Sequence, residues 1–194
     1  FWNEEYNISN EYLRHDYSRS ADTQWYMFTG HSIEVMWMLL HEAIRKKDKL
    51  LFDKVSDRLK ILLDKTWDKE YGGIGSEDYF AIDRNGHPKG QNYNMKTMWS
   101  HVEILIGCLT VLEYTGADWA EDYYNKAFEF TLRTMTRPEH GVWRQAVDRQ
   151  GNDIKRPEFS IYRKDNFHQP RFLMLNLLSL DRLIKNDGQL THFE

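Results

Sequence analysis

Cysteine is nearly missing from the 194 residues. Cys108 stands alone, which excludes an intrachain disulfide and a cysteine-based zinc site and fits a reducing, cytoplasmic compartment. Long apolar runs are also lacking: the longest, Val35 to Leu40, is far too short to span a membrane. Neither sign of charge is in excess, with 26 Lys and Arg against 30 Asp and Glu and a net charge of −4. Such a chain has no stripe of positive field for collecting phosphates, so neither nucleic acid nor an anionic membrane is an expected partner. The first residues have no basic stretch followed by an apolar one, and hence no secretory signal, and they also lack an initiator Met. The start reads like a chain picked up midway. A Gly-rich phosphate loop, a GxSxG elbow, an HExxH pair and an EF-hand loop are all absent.

What is present is a repeat. Trp67 to Gly73 and Thr136 to Trp143 are each followed by a turn signal, Asp83-Arg84-Asn85-Gly86 and Asp148-Arg149-Gln150-Gly151, and Gly72 and Gly141 stand 69 residues apart. The helical segments keep the step: Glu34, Glu103 and Arg171 follow one another at 68 to 69 residues. Two helix types alternate within each copy. Ile33 to Ala43, Met98 to Leu112 and Phe172 to Leu183 are apolar nearly all round, the pattern of helices buried on all sides. Leu51, Val55, Leu59 and Leu62 instead form one apolar stripe among Asp53, Lys54, Asp57, Arg58 and Lys60. Ala117 to Met135 reads the same way, with Asp118 as the expected cap. The excursions Glu70 to Gln91 and Glu139 to Pro157 are too long for bare connections, which predicts short β-hairpins there.

The order of inner helix, outer helix and long excursion predicts a closed or curved all-α toroid, with residues 1–194 as a single domain holding fewer than three repeats. A tetratricopeptide array would share the period, but its short turns and Trp/Leu-Gly/Tyr pattern are missing. The chain therefore looks like about half a ring.

Candidate chemistry gathers where the inner helices start. His31 and Glu34 lie one turn apart on the first, and His168 and Arg171 share that spacing on the third. His31, Ser100 and His168 are equivalent in the repeat, which predicts one shared rim. A carboxylate one turn from an imidazole holds one tautomer and raises basicity, so the His31 and Glu34 pair points to general acid/base work. Glu103 lies among Val102, Ile104, Leu105 and Ile106, and a buried carboxylate needs a partner, with Arg171 or Lys96 as candidates. Trp99 reads either as core or as a flat platform for a sugar ring. His15, His41, His87, His101, His140 and His192 lack a comparable arrangement and read as surface or structural. A metal held by His31, Glu34 and His168 needs a third strong ligand that the repeat does not obviously supply. No metal and no cofactor is expected.

At these residues the sequence resembles the N-acylglucosamine 2-epimerase family, which includes cellobiose 2-epimerases and mannose-type aldose-ketose isomerases. Gly30-His31-Ser32-Ile33-Glu34 followed by Trp37, Lys96 to Glu103, and Phe167-His168-Gln169-Pro170-Arg171 carry the likeness, and their order covers most of the chain. The resemblance implies an (α/α)6 barrel, with this chain as its C-terminal half. It implies His31 and His168 as the two acid/base histidines, Glu34 as the assistant of His31, and Trp99, Arg171 and Glu103 around the sugar. Met98 replaces the first Trp of the family's tandem pair, and Ser100 stands where a larger apolar residue is common. The family's further active-site Arg and His have no counterpart here.

The expected reaction is inversion at C2 of an aldose or N-acylhexosamine through an enediolate. Aldose-ketose isomerisation is the alternative on the same fold. A glycoside hydrolase would use Glu34 and Glu103 as its carboxylate pair, and a non-catalytic glycan- or protein-binding module would leave His31 and His168 pointing apart or into solid core. Half a ring would expose a large apolar flank, so the missing half or a partner chain, a homodimer included, is expected to cover it.

Overall fold

The computed structural model describes residues 1–139, 141–154 and 165–193. His140 and the end of the second excursion, 155–157, lie outside the described residues. Five helices are described: α1 (Thr29–Lys46), α2 (Lys49–Thr66), α3 (Met98–Thr115), α4 (Asp118–Thr134) and α5 (His168–Lys185). α1 packs on α2 and α3, and α3 packs on α4 and α5, so α3 is the middle one of three inner helices. None of the described helices is long and apolar enough to cross a membrane.

Both helix hairpins turn on two residues, the first of them left-handed. Lys47 at φ 55° ends α1, and the Asp48 side chain then caps α2 by accepting from Leu51 N at 2.9 Å. Gly116 at φ 65° ends α3. The expected cap of α4 is corrected: Ala117 is the N-cap and Asp118 is already helical. With Glu121, Asp118 places negative charge in the first turn, where the helix dipole favours it.

The expectation that all three inner helices are buried on every side holds only for α3. α1 exposes Val35 and Met38, and α5 exposes Leu173, Met174, Leu177, Leu178, Leu180 and Ile184, the last at 74%. The reason is position. α3 has an inner helix on each side, whereas α1 and α5 each have one, so the same apolar composition leaves a flank facing water.

The strands decide where the inner helices begin. β3 (Tyr26–Phe28) runs directly into α1 and pairs antiparallel with β4 (Asp78–Ile82), which pairs with β5 (Pro88–Gln91) in the first excursion. β6 (Lys96–Thr97) runs directly into α3 and pairs with β9 (Ala146–Val147) from the second excursion. Two small ribbons complete the set, β1 (Trp2–Asn3) with β2 (Ile8–Ser9) and β7 (Thr136–Arg137) with β8 (Val142–Trp143).

Lys96 ties both excursions to the start of α3. Its fully buried Nζ donates to Asp68 Oδ2 at 2.9 Å and to the carbonyls of Gly72 at 2.6 Å and Arg149 at 2.8 Å. The Arg149 side chain also pairs with Asp68. Burial alone would raise the Asp68 carboxyl, but Arg149 and Lys96 outweigh it and hold it well below the carboxylate range. Lys96 is therefore not the partner of Glu103.

His101 is a structural residue of the same region. Its Nδ1 donates to Thr97 O at 2.7 Å, its Nε2 accepts from Ile74 N at 3.0 Å, and its ring stacks on Phe130. Burial pushes its pKa down from 6.5 to about 4. A depressed histidine contributes stability that is complete above the unfolded value and is lost as pH falls from 6.5 towards 4, because the unfolded chain takes up the proton first. Urea unfolding of His101→Gln, which keeps an acceptor for Ile74 N, is expected to show a flatter pH dependence across that window, by up to about 3 kcal/mol. An unchanged slope would contradict this.

Candidate active site

The first turns of α1, α3 and α5 lie side by side, and each brings one part of the site: His31 and Glu34 from α1, Trp99 and Glu103 from α3, His168 and Arg171 from α5. Glu103 is fully buried at their junction. Its Oε2 accepts from Trp37 Nε1 on α1, and its Oε1 accepts from Arg171 Nη2 at 2.7 Å and from His168 Nδ1 at 2.9 Å. A carboxylate so enclosed stays charged only when its lone pairs are met in this way.

Arg171 joins the helices a second time. The same Nη2 donates to Glu34 Oε1 at 2.7 Å, and the guanidinium lies over the rings of Trp37 and Phe167 at 4.9 and 4.2 Å. Burial would lower the Arg171 pKa, but hydrogen bonds to Glu34 and Glu103 more than compensate and hold the guanidinium charged. Ligand atoms of Glu34, Glu103 and His168 lie within 4.8 Å of one another, a spacing that could suit a metal ion. The guanidinium already supplies the positive charge there, so an ion would have to displace Arg171.

This arrangement corrects the expected partner of His31. Glu34 is bound to Arg171, and the carboxylate at His31 Nδ1 is Glu11, with Oε1 at 2.9 Å. Glu11 lies in the irregular stretch after β2, where no periodicity marks it, and no feature of the sequence pointed to it. Glu103, expected around the substrate, has no exposure, and both its oxygens are engaged by Trp37, His168 and Arg171.

Ser100 is not on the rim. Its hydroxyl is buried against Ser76 Oγ at 2.7 Å and Thr97, in the seam that seats the start of α3. Trp99, on the middle inner helix, lies close to both histidines. Its ring centroid lies 5.5 Å from that of His31 and 5.3 Å from that of His168. Phe28, which the sequence reading did not single out, runs nearly parallel to Trp99 and stacks on His31 at 4.5 Å.

Each imidazole thus offers Nδ1 to a carboxylate, which assigns the proton to Nδ1 and leaves a lone pair on Nε2. No hydrogen-bond partner reaches either Nε2 among the described residues. The His31 side chain is 51% exposed and that of His168 23%. A groove of about 450 Å³ lined by Glu11, His31, Ser32, Glu34, Val35 and Met38 opens beside the first ring. The other described histidines stand apart. His41 lies nearly three turns beyond His31 on α1, against Thr110 Oγ1 at 3.3 Å, and His15, His87 and His192 are exposed.

Three inner helices, two of them with outer partners, and hairpin excursions, with the candidate residues gathered at one rim, define about half of an (α/α)6 barrel. Solved structures agree. A D-mannose isomerase superposes with a TM-score of 0.71 at 17% identity, covering 92% of this chain and 43% of its own. The cellobiose 2-epimerase from Bacillus thermoamylovorans B4167 superposes with a TM-score of 0.67 at 12% identity, covering 94% and 45%. The sequence profile of the N-acylglucosamine 2-epimerase (GlcNAc 2-epimerase) family matches residues 1–166, and the chain belongs to that family. The match stops just ahead of α5, so His168 and Arg171 lie outside it. The N-acylglucosamine 2-epimerases of Mus musculus and Rattus norvegicus are 32% and 30% identical over 75% and 82% of this chain. The chain spans only about a third of their length, 34% and 37%.

Two substitutions test the geometry. Glu103→Gln removes the charge that meets both His168 and Arg171, and urea unfolding is expected to show a loss of about 3 kcal/mol, typical of a broken buried pair. A loss within error would mean that the junction carries little of the stability. Gly30 packs against the indole of Trp99, and a Cβ there would clash with Cη2 and lie only 2.8 Å from Cζ2 and Cζ3. Gly30→Ala is expected to change the near-UV circular dichroism of Trp99 while leaving the far-UV spectrum intact, and identical near-UV spectra would contradict the packing.

Proposed function

We propose that the protein carrying this chain inverts C2 of an aldose or N-acylhexosamine, with His31 and His168 as the two proton-transfer groups. The observation that carries this reading is the matched pair of imidazoles, each anchored at Nδ1 by a carboxylate and each free at Nε2, both beside Trp99.

The proton on C2 of an open-chain aldose lies beside a carbonyl, so its removal yields a planar enediolate. Inversion takes that proton from one face and returns one to the other. One Nε2 acts as base, and the opposite imidazolium acts as acid. One ring starts neutral with its proton on Nδ1 and the other starts as the imidazolium; the two exchange these states as C2 inverts, and the carboxylate behind each ring stabilises its imidazolium form. Trp99 offers an apolar face to the C–H groups of the sugar. Arg171 acts through Glu103 and Glu34, holding their carboxylates charged and in place.

Two other readings fare worse on this geometry. A glycoside hydrolase needs two carboxylates free to flank a bond, and Glu34 and Glu103 are both committed to Arg171. A non-catalytic module has no use for two imidazoles that share one indole and keep a lone pair apiece. Aldose-ketose isomerisation stays as the second reading, favoured by the likeness in fold to a D-mannose isomerase.

The exposed apolar flanks of α1 and α5 belong to this proposal. In the whole protein they pack against the remainder of the ring, from the same chain or from a partner, and that remainder supplies the donors for the enediolate oxygens.

The test is solvent-deuterium incorporation at C2 in the intact protein, with products identified by NMR. His31→Asn and His168→Asn are each expected to reduce incorporation by at least about a hundredfold. Unchanged incorporation in either variant overturns the two-histidine reading. A ketose product replaces epimerisation with isomerisation.

A further inference from the structure

We propose that Glu11 is the positioning residue for His31, fixing its proton on Nδ1 so that Nε2 is presented as the base. The inference deepens the two-histidine reading above and rests on it.

The first support is correspondence. His168 has its Nδ1 on Glu103, and His31 has its Nδ1 on Glu11, at 2.9 Å in both cases. Without such an acceptor a neutral imidazole distributes its proton over both nitrogens, and the fraction carrying it on Nε2 cannot accept one there. A carboxylate behind the ring removes that fraction and also stabilises the cation formed when Nε2 takes up a proton.

The second support is that the backbone carrying Glu11 is anchored as a placed element would be. Asn10, buried beside it, donates through Nδ2 to the carbonyls of Gln24 at 2.9 Å and Tyr26 at 3.0 Å, and its Oδ1 accepts from Arg19 Nε at 3.0 Å. On the other side, Ser32 Oγ donates to Ser9 O at 3.2 Å, which ties the strand before Glu11 to the helix that carries His31. The Glu11 side chain itself is 22% exposed. The carboxylate one turn from His31, Glu34, is turned to Arg171, and Phe28 and Trp99 lie against the ring.

Glu11 is less buried than Glu103, so its hold on the ring is the weaker of the two. Its loss is expected to lower kcat on the order of tenfold with KM nearly unchanged, the worth of one charge-assisted hydrogen bond.

The experiment uses the intact protein labelled with ¹⁵N-histidine. The His31 tautomer is read from ring ¹⁵N shifts, and C2 exchange is followed in D₂O. Wild type is expected to hold His31 as Nδ1–H. Glu11→Ala is expected to shift it several-fold towards Nε2–H with the amide spectrum otherwise preserved, and to lower exchange through kcat. Glu11→Gln, which keeps an acceptor of the same reach, should restore most of the Nδ1–H form. If wild type exchanges the C2 proton but the His31 tautomer is the same in Glu11→Ala, Glu11 is only a tether for the N-terminal segment and the proposal falls alone. If wild type shows no C2 exchange, the two-histidine reading falls and this inference with it.

Discussion

The carboxylate of Glu103 is the point on which the arrangement turns. It has no contact with water, and it stays charged because one donor from α1 and two from α5 converge on it. Trp37, Arg171 and His168 therefore cannot shift independently, since moving any one leaves part of a buried charge unmet. Three helices that apolar packing alone would allow to slide are locked in one register. The same carboxylate that fixes the register also orients the His168 ring.

The strands serve a related purpose at the backbone level. β3 and β6 lead without a break into α1 and α3, so pairing across the small sheets sets where each helix begins and hence where His31 and Trp99 stand. Lys96 reinforces this by gathering Asp68, the Gly72 carbonyl and the Arg149 carbonyl at the start of α3. Long excursions that would otherwise be costly to order become the scaffold of the rim. At the far ends of α3 and α5, Arg182 meets the buried Glu113 through two hydrogen bonds at 2.6 and 2.8 Å, a second ionic link between the same two helices.

The helical alternation was legible from residue pattern, because a helix between two neighbours and a helix with one wet face need different compositions. Leu51, Val55, Leu59 and Leu62 announced α2, and the isolated Glu103 among Val102, Ile104 and Leu105 announced a buried ion pair, with Arg171 correctly among its candidate partners. Pattern was misleading where it depended on neighbours. Phe172 to Leu183 has the composition of an enclosed helix, yet α5 leaves Leu177 65% exposed, because composition records what a helix packs against in the whole ring and not which neighbours these residues contain. Local spacing also misled at His31: Glu34 stands one turn away, but a guanidinium from α5 claims it.

By itself, the sequence determined the order of inner and outer helices, the repeat that sets their spacing and the family to which the chain belongs. These follow from periodicity and short motifs, which act over a few turns of chain. Only the tertiary structure decided which carboxylate meets which imidazole, that Ser100 faces the core seam and that Trp99 lies close to both rings. Those choices depend on side chains 20 to 137 residues apart meeting at hydrogen-bond distance. Such meetings are set by how the helices are packed and leave no periodic mark in the chain.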